Sequence, residues 1–154
     1  MTLNCVVVDD SAIQRLSIVK LIENHSSLNL IAEYSSALET KNGLNTHKVD
    51  LIFLDIELPD SNGFVFLDSL KVKPQVIFIT SHAKHALKAY EYRATDFIQK
   101  PITLNRFNAA VKRAVNFHLL NQQLESEFIS VKSNLRNIKV YLNKIKWIEA
   151  FGDY

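Results

Sequence analysis

Three short, predominantly apolar runs rich in β-branched or aromatic residues each stop on polar ones: Leu3 to Val8 on Asp9 and Asp10, Leu51 to Leu54 on Asp55, and Val76 to Ile79 on Thr80 and Ser81. An apolar run without polar alternation belongs in a strand covered on both faces, the environment of a parallel sheet between two layers of helix. The segments between these runs have helical texture. Ser11 is placed to N-cap a helix in which Ala12, Ile13, Leu16, Val19 and Ile22 form an apolar stripe, with Arg15, Lys20 and Glu23 elsewhere. Asn29 to Tyr34 reads as a second strand and Ala37 to Leu44 as a second helix. Pro59, Asp60, Ser61 and Asn62 bend the chain between Leu58 and Gly63. Phe64 to Leu70 and His82 to Arg93 then read as helices, Asp96 to Ile98 as a brief fifth strand, and Leu104, Phe107, Val111, Ala114 and Val115 as the buried stripe of a last long helix continuing toward Leu124. About five strand–helix repeats predict an α/β doubly wound parallel sheet with helices on both faces.

Hydrophobic residues make up 47% of the 154 and charged residues 22%, the balance of a globular chain rather than a disordered one. No apolar run approaches the roughly 18 residues of a membrane span, and the N-terminus lacks the pattern of a signal peptide, so a cytoplasmic protein with no membrane partner is expected. The single cysteine, Cys5, lies inside the first apolar run and reads as a small buried hydrophobe. Charge is uneven: residues 1–100 carry 10 Lys+Arg against 12 Asp+Glu, net −2, and residues 101–154 carry 8 against 4, net +4. An acidic first part suits a cation site.

In a doubly wound sheet, ligands collect beyond the carboxyl ends of the strands, near the point where strand order reverses. The polar residues fall there: Asp9 and Asp10 after the first strand, Asp55 after the third, Thr80 after the fourth and Lys100 after the fifth. Three clustered carboxylates repel one another unless a cation offsets them. Magnesium suits them, with Asp10 and Asp55 as direct ligands and Asp9 acting directly or through water. Asp55 is the candidate nucleophile for a phosphoryl group, with the metal and Lys100 supplying positive charge and the Thr80 hydroxyl a hydrogen bond to phosphate oxygen.

Four ordered motifs, VVVDD at 6–10, FLDIELPDSNG at 53–63, FITS at 78–81 and DFIQKP at 96–101, make residues 1 to about 122 resemble the receiver domain of bacterial two-component response regulators. The resemblance implies a flavodoxin-like (βα)5 fold of strand order 2-1-3-4-5, with Asp55 accepting phosphate from a sensor histidine kinase. It also implies a backbone carbonyl of Glu57 as a metal ligand and a cis peptide at Lys100–Pro101. A switch follows from it too, in which Thr80 moves toward the phosphate and Phe97 turns inward, packing alone biasing a ring that lacks the tyrosine hydroxyl often found there. The face made by the fourth helix, fifth strand and fifth helix would then pair two copies; Ala83, Ala86, Leu87, Ala89 and Tyr90 are its candidate surface. Glu57 and His82 flank the pocket and are expected to tune water access to an acyl phosphate.

From Phe128 the texture changes to β-prone pieces, Phe128 to Val131, Ile138 to Leu142 and Ile145 to Ile148, split by Ser133-Asn134 and Asn143-Lys144. Residues 128–154 are similar to the opening of a LytTR-type DNA-binding domain, so 1–122 reads as the receiver and 123–154 as a linker with the first part of that output domain. The break at Tyr154 reads as a truncation. DNA binding is expected only of a complete output domain, with Lys132, Arg136, Lys139, Lys144 and Lys146 as solvent-facing strand residues here. Unpaired strand edges at this end invite strand exchange or added dimer contact.

Two other readings compete. Aspartyl-nucleophile phosphatases also place an acid after a parallel strand, but they need a second Asp two residues on, where this chain has Glu57. A phosphorylation-independent receiver acting only as an interaction module is the other, and the complete set of pocket residues argues against it.

Overall fold

The computed structural model describes residues 1–126, 128–133, 136–141 and 144–145. The chain forms two compact units, Met1–Val115 and Asn116–Tyr154, dividing within a helix.

In the first unit, β1 (Leu3–Val8), β2 (Leu28–Tyr34), β3 (Leu51–Leu54), β4 (Gln75–Thr80) and β5 (Asp96–Gln99) form one parallel sheet of order β2-β1-β3-β4-β5. The helices α1 (Ala12–Glu23), α2 (Ala37–Leu44), α3 (Gly63–Asp68), α4 (Ala86–Glu91) and α5 (Leu104–Ser126) connect and follow these strands. Side chains alternate across each strand, so the sheet has two cores. Cys5, Val7, Phe53, Ile77 and Ile79 face one, with Ile18 and Ile22 of α1 and Phe107, Ala110, Val111 and Ala114 of α5. Val6, Val8, Ile52, Leu54 and Phe78 face the other, with Ala37, Phe64, Phe66, Leu67 and Ala89. Phe53 stacks on Phe107 at 5.3 Å between ring centres, and Phe64 meets both Phe78 and Tyr92 at 4.8 Å. Burial pushes the Cys5 thiol up to about 12, so it is an apolar filler rather than a reactive group.

Registers align the polar ends. Val8 pairs with Leu54 and Leu54 with Phe78, which sets Asp9 beside Asp55, and Asp55 donates its N–H to the Val8 carbonyl at 2.8 Å. Thr80 pairs with Gln99, and Lys100 donates its N–H to the Thr80 carbonyl at 2.9 Å.

Four helices differ from their expected form. Ser11 does cap α1, accepting the Gln14 N–H, but the buried face is Ile18, Val19 and Ile22 with half-buried Arg15. Ile13 is 80% exposed, Leu16 52%, and Ala12 is also exposed. Apolar residues cover so much of this helix that two stripes satisfy helical spacing, and Arg15 chooses between them: its Nη1 donates to the Asp9 carbonyl at 2.7 Å and its Nε to Glu33 at 3.0 Å. Residues 82–93 do not form one helix. A single 3-10 turn, Ala83–His85, precedes the six-residue α4, which stops where Arg93 takes φ 53°, a left-handed conformation that satisfies terminal carbonyls at some steric cost. The third helix ends at Asp68, leaving Leu70 outside it, and in α5 Leu104 is exposed while Phe107, Val111 and Ala114 are buried.

Gly63 opens α3 against the main chain of Asp55 and Ile56. A Cβ there would lie 2.9 Å from the Asp55 carbonyl oxygen and 3.1 Å from the Ile56 Cα, both main-chain atoms that cannot swing aside. Gly63→Ala is therefore expected to cost about 1–2 kcal/mol by overpacking and to displace Asp55; a urea midpoint equal to that of the parent chain would contradict it.

In the second unit, β6 (Phe128–Ser133) and β7 (Arg136–Tyr141) form an antiparallel hairpin. The Phe128 ring meets Tyr141 edge-on at 6.1 Å and carries the Lys139 amine over its face at 4.5 Å. Ile145 is not in a strand, and residues 146–148 of the expected third piece, Leu142 at the end of the second and Lys146 lie outside the described residues. Lys139 and Lys144 are exposed.

Candidate functional site

At the carboxyl edge of the sheet, one carboxylate oxygen from each of Asp9, Asp10 and Asp55 lies within 4.8 Å of the others. β1 carries the first two and β3 the third, and the strand order turns back at β1, which is where a doubly wound sheet opens a crevice. Asp9 and Asp55 are buried; Asp10 is exposed. Lys100, arriving after β5, places its amine 2.8 Å from Asp9 Oδ2 and 2.6 Å from Asp55 Oδ2, and it also donates to the side-chain carbonyl of Gln14 in α1. Its three N–H donors are thus distributed over three acceptors.

The electrostatics show an excess of negative charge. Burial pushes the Asp9 carboxyl above the usual carboxylate range and the charge of Asp55 adds to that, although Lys100 and the Ser11 N–H oppose it. Burial disfavours the charged Lys100 amine, yet hydrogen bonds and charge from Asp55 and Asp9 together outweigh it and hold the amine above its ordinary range. One lysine does not neutralise three acids. The donor set is all carboxylate oxygen, so it fits a small hard divalent cation such as magnesium.

The loop after β3 orients Asp55. Glu57 donates its N–H to Asp55 Oδ1 at 3.1 Å, Gly63 donates to the Ile56 carbonyl at 2.8 Å, and a bridge joins Glu57 to Asn62. Asp60 reaches across to α2, where its two oxygens accept the Ala37 and Leu38 N–H groups at 2.9 Å each; those hydrogen bonds hold its carboxyl below the usual range. Glu57 turns its own carboxylate away from Asp55 toward His82 at 3.2 Å and His85 at 4.0 Å.

Thr80 is buried at the end of β4, and its Oγ1 accepts the His82 N–H at 3.4 Å. Phe97 in β5 is half-buried against the second core. The Lys100–Pro101 peptide is cis. Among the candidate docking residues, Leu87 and Tyr90 are 72% and 81% exposed and Ala83 and Ala86 are exposed, but Ala89 is buried in the core. Arg15, Gln14, Asp60 and the pair Asp96–Arg106 are additions that sequence reasoning missed. Their contacts bridge 6, 86, 22 and 10 positions, the shortest of them to a main-chain carbonyl, and no local spacing announces them.

This fold and acidic pocket define a class, the receiver domain of two-component signalling. Residues 5–112 match the family of the response regulator receiver domain, and the chain belongs to that family. Its relatives include the sensory transduction protein LytR of Staphylococcus epidermidis, 36% identical over 114 residues that cover 72% of this chain and 45% of the relative. Another is the sensory transduction protein LytT of Enterococcus faecalis, 32% identical over 115 residues, 73% of this chain and 48% of the relative. The chain spans about half the length of the curated relatives it matches. Among solved structures it is similar to the response regulatory domain of the MrkE protein of Klebsiella pneumoniae, 28% identical with a TM-score of 0.66, covering 78% of this chain and 98% of that one. Membership of the family places the chain in two-component signalling. No helix among the described residues is long and apolar enough to cross a membrane.

Proposed function

We propose that Asp55 is the phosphoacceptor of this chain and that residues 1–122 act as a receiver switching an output domain of the LytTR type, begun by residues 123–154. The observation that carries the reading is the Lys100 amine lying 2.6 Å from Asp55 within the three-carboxylate cluster. A carboxylate oxygen of Asp55 forms a bond to phosphorus as the donor's P–N bond, in a phosphohistidine, or P–O bond, in an acyl phosphate, breaks; the electron pair leaves with the donor, an imidazole taking a proton from solvent and a carboxylate departing as the anion. Asp9, Asp10, Asp55 and the Glu57 backbone carbonyl would hold magnesium, which supplies positive charge to the transferring oxygens when bound. Lys100 adds positive charge on the Asp9–Asp55 side, Glu57 N–H holds Asp55 in orientation, and Thr80 and Phe97 change position once phosphate is present.

A sensor histidine kinase is the donor this reading requires, and the exposed Ile13 and Leu16 give α1 an apolar outer face beside Gln14 for such a protein to meet. Pairing of two chains would use the α4–β5–α5 face, where Leu87 and Tyr90 are exposed. The chain turns over no substrate; it is phosphorylated and slowly loses the phosphate. Sequence-specific DNA binding belongs to the complete output domain.

Incubation with acetyl phosphate and magnesium is expected to add the mass of one phosphoryl group, lost in Asp55→Asn and on chelation of the metal. A gain that survives Asp55→Asn would overturn the assignment, and no gain in the parent chain would favour an interaction module that works without phosphate.

A further inference from the structure

Outside the acidic pocket, the most completely partnered charge among the described residues is Asp96 in β5, a carboxylate only 8% exposed. Arg106 of α5 meets it as a fork, Nη1 on Oδ2 at 2.9 Å and Nη2 on Oδ1 at 2.5 Å, and Arg113, two turns further along the helix, adds Nη1 on Oδ2 at 3.0 Å. The pair also encloses the main chain of the next residue. Phe97 donates its N–H to Asp96 Oδ1 at 2.8 Å, and its carbonyl accepts from Arg106 Nη2 at 2.5 Å. β5 is an edge strand, so main-chain groups turned away from β4 find no further strand; at Phe97 the Asp96–Arg106 pair takes both.

Charge-assisted, bidentate hydrogen bonds are directional, whereas apolar contacts between a helix and a sheet tolerate sliding. A guanidinium held at once by a carboxylate and a carbonyl therefore ties α5 to the β5 backbone at the residue whose ring is the candidate switch. α5 then continues unbroken from Leu104 to Ser126, past the division between the two units at Val115.

We propose that the Asp96–Arg106 fork is the link by which a change at Phe97 is passed to α5, with Arg106 a positioning residue rather than a packing partner; this rests on the reading of Asp55 as phosphoacceptor. Restraint of the Phe97 backbone confines the local change to its ring and to rigid displacement of β5, and the fork carries that displacement into the helix. Lysine cannot replace arginine here, because an ammonium has the charge but not the planar fork that reaches carboxylate and carbonyl together.

The test uses the full 154-residue chain, its Arg106→Ala form and its Arg106→Lys form, each with and without acetyl phosphate and magnesium. Intact mass reads phosphorylation of Asp55, and hydrogen–deuterium exchange of peptides within 104–115 reads α5. Expected is an undiminished phosphoryl gain in all three forms, with the phosphorylation-dependent change in α5 exchange present in the parent and lost in both variants. An α5 response of parent size in either variant overturns the link, as does a failure of either variant to take up phosphate, which would place Arg106 in the pocket chemistry. Arg106→Lys, which keeps the charge, guards against loss of folding. Absence of any mass gain in the parent overturns the acceptor reading itself and the link with it, an outcome distinct from the others.

Discussion

Lys100→Ala is expected to slow phosphoryl uptake at Asp55 by about 10²–10³-fold, the scale of losing one preorganised donor to developing charge, and to destabilise the metal-free chain by about 3 kcal/mol near neutral pH, as when one partner of a buried ion pair is removed. Both effects arise from the same geometry. The amine is the cation in contact with Asp9 and Asp55, at 2.8 and 2.6 Å, and Asp9 is already pushed toward its protonated form by burial and by the charge of Asp55. Without the amine the carboxylates face one another uncompensated, and Gln14 loses the donor that its side-chain carbonyl accepts. Saturating magnesium should recover part of the stability by binding the folded state alone, and more of it in Lys100→Ala than in the parent, whose acids are partly neutralised already. Mass-spectrometric time courses with acetyl phosphate and urea midpoints with and without the metal measure the two effects; an unchanged uptake rate would make Lys100 a structural residue only.

Asp96→Asn is expected to lower stability by about 1–3 kcal/mol near neutral pH, the range for hydrogen bonds to charged groups, with a loss that depends on pH in a defined direction. Burial disfavours the Asp96 charge, but the Arg106 hydrogen bonds, the Phe97 N–H and the charges of Arg106 and Arg113 together outweigh it, so its carboxyl lies below the ordinary 3.8. A carboxyl lowered by folding contributes stability that is fully present above its unfolded value and is lost as pH falls through its folded value. The advantage of the parent over Asp96→Asn should therefore be constant above the ordinary carboxylate range and shrink once pH drops below 3.8. Parallel urea titrations across that interval decide it: a gap that widens in acid would show that Asp96 is not the group responsible. Because Arg106 and Arg113 are partly solvated, the effect belongs at the lower end if salt screens it.

The strands and the acidic cluster were legible in the sequence for a definite reason. A parallel strand is buried on both faces, so each is an apolar run whose end must meet solvent or a ligand, and its last polar residue marks a place on the sheet edge. Five residues at four such endings, Asp9, Asp10, Asp55, Thr80 and Lys100, therefore share one edge, and the five-stranded order agrees with the family resemblance. The helices were less legible. Apolar residues lie on more than one side of α1, and spacing cannot say which side meets the sheet, whereas the contacts of Arg15 with Asp9 and Glu33 can. The end of α4 comes from a backbone conformation, and Arg93 in a left-handed turn is not a residue that advertises one.

The alternation of strands with helices, the double burial of β1, β3 and β4, and the set of acids and the lysine gathered at one edge are all written along the chain, because burial periodicity and strand-end chemistry are local properties. Only the tertiary structure decided which face of α1 is core, that Asp60 holds the start of α2, that Gln14 shares Lys100 with the acids, and that Arg106 encloses the Phe97 backbone. Those depend on side chains meeting across the packed sheet, and their partners are chosen by geometry rather than by position along the chain.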